Sequence, residues 1–470
     1  MLFWKVNFLS DPNIEGLFRI LVLTYALTGS AVFVSAIKIF VGEKNRTGIL
    51  RLSLFYILFI LFITIILAMS SASFISIFTF VGIILLLLLF FPFPARKDLT
   101  DTAPLNKIDE RDTMFSRNEL VTGSRSYKEY YENHPGLEKK DRLFRREPGL
   151  LAAGSKFYHR QLFELAERNF QNVRELHPRV SGNVNKVKLE IEPEIITDSL
   201  RKMIKNAGAI NVGFTKTRDY HFYSHRGRGE EYGKEIIISH KYAIAFTVEM
   251  QKEFVDPAPG ATIVYESSRQ YLNAGLIAVL VAERIRNLGF DAKAHIDGNY
   301  QVVCPLVARD AGLGEIGRMG ILMTPEHGPR VRIGVITTDL EIRPDPYIKN
   351  NNLIEFCSWC RKCAVNCPAG AIPAGGPLEI QGVKRWKVNQ ESCYTFWCKA
   401  GTDCGRCMAV CPYSHPDRGF HRFVRWGVRR AKFFRYLAVH LDDFFYGKKP
   451  RRGDVEAVLR KFGENRTFKV

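Results

Sequence analysis

The chain has 470 residues, a formal net charge of +19 and 46% hydrophobic residues. Nine of its 10 cysteines fall between Cys357 and Cys411. That crowding excludes a disulfide framework, which belongs to small secreted domains. The positive excess suits an anionic partner, either a lipid surface or nucleic acid.

Three apolar runs open the chain, at Leu17–Val41, Leu52–Met69 and Phe74–Phe91. A spanning helix needs about 20 apolar residues, with a lower limit near 17. These runs predict three transmembrane helices, over 17–41, 52–69 and 74–91, in an anchor of residues 1–94. Lys44, Arg46 and Arg51 lie between the first two runs, no charge lies over Ser70–Ser73, and Arg96 and Lys97 follow the third. By the positive-inside rule the N-terminus is outside and everything after Phe91 is cytoplasmic. Lys5 and Arg19 oppose that orientation. Neither a cleavable signal peptide nor a paired-arginine export signal is visible. The expectation is a multi-pass protein of the cell membrane with its soluble part facing the cytoplasm.

Residues 95–185 are polar and charged with scattered aromatics, and read as a partly helical wrapping segment. Over 186–348, apolar spacing predicts helices at Ile196–Ala207 and Tyr271–Leu288. Runs rich in β-branched and aromatic residues predict strands at Ile236–Ile238, Tyr242–Val248 and Val331–Thr337. Alternating signals of the two kinds indicate an α/β or α+β core.

Residues 349–420 carry the cysteines. Cys357-x2-Cys360-x2-Cys363-x3-Cys367-Pro is the bacterial ferredoxin pattern for a cubane cluster, and Cys393 with Cys404-x2-Cys407-x3-Cys411-Pro is a looser second copy. In paired motifs three close thiolates take one cluster, and the fourth cysteine reaches the other. The spacing therefore predicts two [4Fe–4S] clusters. One is held by Cys357, Cys360, Cys363 and Cys411, the other by Cys367, Cys393, Cys404 and Cys407. Zinc would need only four ligands and gives no reason for a doubled motif. Cys398 is an alternative to Cys393, and Cys304 reads as a buried apolar residue.

Residues 421–470 form a basic aromatic tail. From Asp417 to Val470 there are 15 Lys or Arg against six Asp or Glu. Interleaved basic and aromatic residues suit nucleic acid. On a chain tethered to a bilayer, anionic membrane lipid is the favoured partner.

Clusters move electrons and need a terminus. Gly312, Gly314 and Gly317 match a dinucleotide fingerprint literally, but Pro305–Ala311 reads as a helix where a strand is required. A glycine-rich turn against some other flat cofactor fits as well. His221 and His225 lack a third metal ligand at any recognisable spacing.

Several segments together resemble the corrinoid-dependent reductive dehalogenase family, which is related to epoxyqueuosine reductase. They are Tyr265–Ala292, including Tyr271 and Arg286-Asn-Leu-Gly-Phe290; Ala311-Gly-Leu-Gly-Glu-Ile-Gly-Arg318; Thr337-Thr-Asp-Leu340; the doubled cysteine motif; Cys393–Trp397; Gly401-Thr-Asp-Cys404; and Leu441-Asp-Asp443 with Tyr446-Gly447. The likeness covers about Phe115 to Pro450. It implies a base-off cobalamin in a nitroreductase-like α/β (α+β) core, fed by the two clusters and cleaving the carbon–halogen bond of a small organohalide. It places Tyr271 as proton donor, Arg318 as the cation beside it, Asn299 in the substrate cavity and Gly312 and Gly314 against the cofactor. The electron donor would be a ferredoxin, a flavoprotein or a quinol. Two rival functions stand: an epoxyqueuosine-reductase-like enzyme acting on tRNA, and a membrane-bound ferredoxin-like carrier without corrinoid.

Overall fold

A computed structural model describes residues 12–42, 46–68, 82, 84, 95–100, 106–380 and 382–466. The third apolar run, 74–91, lies almost wholly outside the described residues. The chain divides into two compact units, one of residues 1–95 and 417–450, the other of 96–416 and 451–470.

The first unit opens with helices α1 (Pro12–Gly42) and α2 (Arg46–Ala68). Val22–Gly42 is long and apolar enough to cross a membrane, and Gly48–Thr64 is a shorter apolar helix. The two helices pack through Phe33 stacked on Tyr56, with centroids 4.0 Å apart, and through a 2.6 Å hydrogen bond between the Ser30 and Tyr56 hydroxyls. Gly29 leaves room for the Phe59 ring, which a Cβ there would meet at 2.8 Å. Small residues commonly admit such close helix approach.

The second unit begins with the wrapping segment: α3 (Met114–Glu119), α4 (Arg125–Asn133), α5 (Leu137–Arg145) and α6 (Arg160–Glu175). Ser124 caps α4 by accepting from the Tyr127 N–H, and Thr113 caps α3 by accepting from the Ser116 N–H. Such caps satisfy N–H groups that the first helical turn leaves unpaired.

The core is built on α7 (Pro193–Asn206), β1 (Asn211–Lys216), β2 (Tyr242–Glu249), α8 (Ala261–Asn287), β3 (Ala292–His295), α9 (Cys304–Asp310), the short hairpin β4 (Glu315–Ile316) and β5 (Leu322–Met323), and β6 (Val331–Thr338). The main sheet has the order β1-β2-β6-β3, with every pair antiparallel. Side chains alternate along β2, so each face of the sheet has its own core. Ile244, Phe246 and Val248 pack with α7 and α8, whereas Ala243 and Ala245 pack with α9 through Val307 and Ala308. Phe246 pairs with Gly334, and its ring occupies the space that a Cβ on Gly334 would take.

Helix α8 starts ten residues before the predicted Tyr271, because Ala261–Gln270 is polar and apolar by turns yet mostly buried. Ile236–Ile238 is not a strand. Its neighbour Glu235 makes a single isolated bridge to His225, and Ile237 is 85% exposed. A β-branched triplet without a partner strand has nothing to pair with.

The cluster region holds α10 (Asn351–Cys360), α11 (Lys362–Val365), the hairpin β7 (Leu378–Ile380) and β8 (Val383–Arg385), α12 (Gln390–Ala400) and α13 (Arg406–Ala409). The tail then forms α14 (Gly419–Arg430) and α15 (Lys432–Tyr446), which join the first unit. Phe40 of α1 lies against Phe445 and Tyr446, each with centroids 5.5 Å away, and Arg51 of α2 sits 5.2 Å over the Phe444 ring.

Candidate active site and iron–sulfur region

Arg361 takes a left-handed conformation, φ +52°, and ends α10 directly after Cys360, so the chain turns back into α11 with Cys363. Cys357, Cys360 and Cys363 then line one space together with Cys411 from the second motif. Cys367, Cys393, Cys404 and Cys407 form a second group, in which Cys404 would feel Cys393 and Cys367 as thiolates and Cys407 would feel all three others. Cys363 also feels Cys407, so the two groups are neighbours. The Ala371 N–H donates to Cys367 Sγ at 3.3 Å. Cys398 points elsewhere, into a core of Met114, Phe144 and Tyr394. Among the described residues, no three His, Cys, Asp or Glu side chains converge as for a single metal ion. Thiols arranged around a volume suit a cluster.

Tyr271 sits half-buried on α8. The guanidinium over its ring is that of Arg332, 4.8 Å from the centroid. Arg332 Nη2 donates at 2.8 Å to Asp403 Oδ2, and Ser267 donates to the same oxygen. Asp403 immediately precedes Cys404. Burial pushes the Tyr271 phenol up to about 12, with the Arg332 charge opposing. Burial likewise raises Asp297 against Arg228 and Arg332, and raises Tyr300, which feels Asp297, Tyr271 and Cys304. Tyr271, Asp297 and Tyr300 are each half-buried. Arg332 and Asp403 keep 14% and 11% of their side-chain surface.

Arg318 is not the cation beside Tyr271. It is fully buried, donates to the backbone carbonyls of Cys357, Ser358, Pro373 and Gly375, and stacks 4.9 Å from the Trp386 ring centroid. Asn299 is half-buried, and its Oδ1 accepts from both Nη atoms of Arg226 at 3.1 Å. Gly312 ends α9 at φ +79°, and a Cβ on Gly314 would lie 2.2 Å from the Met323 carbonyl oxygen. Gly314 is thus required by the approach of β5, whatever else lies near it. His221 is buried against Asp310, 2.9 Å from Oδ2. Cys304 is buried in the apolar cluster under α9, and burial raises its thiol to about 12. Asp403 lies in the Gly401-Thr-Asp-Cys404 segment, whereas Arg332 carries no sequence motif and is marked only by its meeting with Asp403 over Tyr271.

A corrinoid can be tested against these residues. In the group over Tyr271, Asp403 Oδ1 and Arg332 Nε are buried without a hydrogen-bond partner. Buried polar atoms ordinarily find partners, and the amide groups that rim a corrin offer donors and acceptors of the right kind. The residues fit.

Residues 356–415 match the 4Fe-4S dicluster domain. The tetrachloroethene reductive dehalogenase of Sulfurospirillum multivorans is 31% identical over 211 residues, 43% of this chain and 41% of that protein. Epoxyqueuosine reductase of Staphylococcus aureus is 27% identical over 177 residues, 34% of this chain and 45% of that protein. A catabolic reductive dehalogenase solved in complex with 3-bromo-4-hydroxybenzoic acid superimposes with a TM-score of 0.62 at 23% identity, covering 76% of this chain and 49% of that one. The aligned stretch therefore spans less than half of each of these proteins. The chain is thus similar to reductive dehalogenases and, over a shorter stretch, to epoxyqueuosine reductase.

Proposed function

We propose that the chain is a membrane-anchored reductive dehalogenase that replaces a halogen of a small organohalide with hydrogen. The carrying observation is the connected set of Tyr271, Arg332 and Asp403, which runs from a candidate proton donor to the residue beside Cys404. Cys357, Cys360, Cys363 and Cys411 would hold one [4Fe–4S] cluster, and Cys367, Cys393, Cys404 and Cys407 the other. The clusters would supply electrons singly, and a bound cobalamin would supply the reduced-cobalt chemistry for carbon–halogen cleavage. The net change takes two electrons and one proton, breaks a carbon–halogen bond, forms a carbon–hydrogen bond and releases halide.

The chain's own residues have separate tasks in this reading. Tyr271 holds the proton on its phenol oxygen and delivers it to carbon. Arg332, fixed by Asp403 and Ser267, keeps a positive charge over the ring and lowers the cost of the phenolate that remains. Asn299, oriented by Arg226, would turn its amide toward the substrate. Arg318 clamps the carbonyls around Cys357 and so holds the loop of the first cluster.

Anaerobic reconstitution with iron, sulfide and cobalamin, followed by a halide-release screen, tests the function. About eight irons and about one cobalt per chain, with halide release, is the expected outcome. Four irons or fewer would defeat the two-cluster part. Two clusters with no cobalt would leave an electron carrier, and conversion of epoxyqueuosine tRNA without halide release would move the chain to its other relative.

The first unit is read as the anchor. Its tail helices pack on α1 and α2 and expose Phe423, Trp426, Phe433 and Tyr436 beside Arg422, Arg429 and Arg430, a composition suited to an anionic lipid surface. By the loop charges the N-terminus is outside and the second unit cytoplasmic. Protease added to sealed inside-out vesicles should digest the second unit. Digestion only in right-side-out vesicles would reverse the orientation.

A further inference from the structure

Strand β3 ends on His295, which is fully buried and paired across the sheet with Val335 of β6. Its Nδ1 accepts the Gln301 N–H at 3.3 Å, and its Nε2 lies 2.9 Å from the Thr337 hydroxyl. The same hydroxyl is 2.8 Å from His240 Nδ1, and His240 Nε2 is 3.1 Å from Asp291 Oδ2. Only one set of hydrogens satisfies all four groups. An Nδ1 that accepts leaves the hydrogen of neutral His295 on Nε2, which donates it to Thr337. Thr337 then donates to His240 Nδ1, and His240 donates from Nε2 to the Asp291 carboxylate. Thr337 is fully buried while the Asp291 side chain is 60% exposed, so the chain of bonds runs from the surface inward. Burial, with Lys293, His240 and Arg226 nearby, holds the His295 pKa well below its usual value and keeps the ring neutral.

The inner end of this chain holds a short segment. The Asn299 N–H donates back to the Ile296 carbonyl at 3.0 Å, and Gly298 makes the turn at φ +77°. His177 Nε2 meets the Asp297 carbonyl at 2.8 Å, and the Tyr223 N–H donates to the Gln301 carbonyl at 3.1 Å. Arg226 grips the Asn299 side chain by both Nη atoms. Tyr271 feels the charge of Asp297, and Tyr300 feels Tyr271, so the segment lies beside the candidate proton donor. The other tautomer of His295 would set one N–H against another. Gln301 would then keep an unpaired donor, which costs more than the bond itself contributes.

We propose that His295 is a positioning residue: Thr337 and His240 lock its tautomer, its Nδ1 holds the Gln301 N–H, and the segment carrying Asn299 is thereby set against the substrate. The inference rests on the reading of Asn299 as a residue of the substrate cavity. The network moves no proton and makes or breaks no covalent bond. It fixes one geometry, which a binding group needs from the residues that support it.

The test uses the full reconstituted chain in detergent. Amide hydrogen exchange is followed over residues 296–303, and halide release from tetrachloroethene is driven by reduced methyl viologen. His295→Gln offers a donor toward Thr337 but no acceptor at the Nδ1 position, and His295→Asn offers the reverse. His295→Gln and Thr337→Val are each expected to speed exchange of the segment about fivefold or more, the loss of one hydrogen bond. Both should raise KM about five- to tenfold with kcat within about twofold, because Asn299 binds rather than reacts. His295→Asn should bring both quantities back to within about twofold of the wild type. A histidine that only filled space would show no such difference between its two amide replacements. Three results would each overturn the proposal: exchange unchanged in His295→Gln and Thr337→Val, His295→Asn behaving like His295→Gln, or kcat falling with KM unmoved. Loss of iron from His295→Gln and Thr337→Val alike would show a network that serves the whole fold, and would overturn it too. Absence of halide release in the wild type instead sinks the dehalogenase reading, and the exchange measurement still decides whether His295 holds the segment.

Discussion

Replacing Tyr271 with phenylalanine is expected to lower halide release by about 10²- to 10⁴-fold, the range a positioned general acid contributes. The ring packs beside the apolar core, with Phe170 6.3 Å away between centroids, and phenylalanine keeps that packing. Iron and cobalt content should therefore match the wild type, which separates lost chemistry from lost folding. Turnover within twofold of wild type would remove Tyr271 from the mechanism.

The pH dependence has a definite sign. The donor form is the neutral phenol, and burial raises its pKa to about 12. The proton is thus in place throughout the neutral range, and this group should contribute no fall in rate until the pH approaches 12. Arg332 opposes the burial effect, so Arg332→Gln should raise the phenol further and make it a weaker acid. The expected result is a slower rate with an unchanged profile below pH 9. A new falling limb near neutrality would show that another group delivers the proton.

Arg117→Ala is expected to destabilise the second unit by about 3–5 kcal/mol, the usual result of removing one partner from a buried ion pair. Arg117 is 1% exposed on α3. Its Nε donates to Asp141 Oδ2 at 2.8 Å and its Nη1 to Glu391 Oε1 at 2.8 Å. The Tyr131 hydroxyl donates to Asp141 at 2.7 Å. Burial works against the Arg117 charge, but Asp141 and Glu391 outweigh it and raise its pKa. Without Arg117 the Asp141 carboxylate stays buried with only a neutral donor.

The consequence should reach the cofactors. Glu391 lies in the first turn of α12, the helix that carries Cys393. Loosening α3 from α12 should therefore cost iron from the group containing Cys393 before the group containing Cys357. Urea unfolding and iron analysis after desalting measure the two effects. Arg117→Met combined with Asp141→Leu removes both charges and should recover most of the stability. A single-variant loss below about 1 kcal/mol would place the network among weakly contributing ion pairs.

Local chemistry explains what was legible along the chain. The cysteine spacing is local to each motif and so was legible; the structure places Cys357, Cys360, Cys363 and Cys411 around one space, and Cys407 near Cys404, Cys393 and Cys367. Strands β2 and β6 were readable because β-branched and aromatic residues fill them. Ile236–Ile238 carries the same composition without a partner strand and stays a loop.

By itself, the sequence determined the iron–sulfur pattern, the apolar character of the N-terminal helices and the mixed helix–strand core, since each depends on residues close together in the chain. Only the tertiary structure decided which guanidinium lies over Tyr271, that Asp403 anchors it, and that the tail helices pack with α1 and α2. Those contacts join residues far apart in sequence. They are fixed by the register of β6 in the sheet, by the turn before Cys404 and by aromatic packing on Phe40, none of which has a local signature.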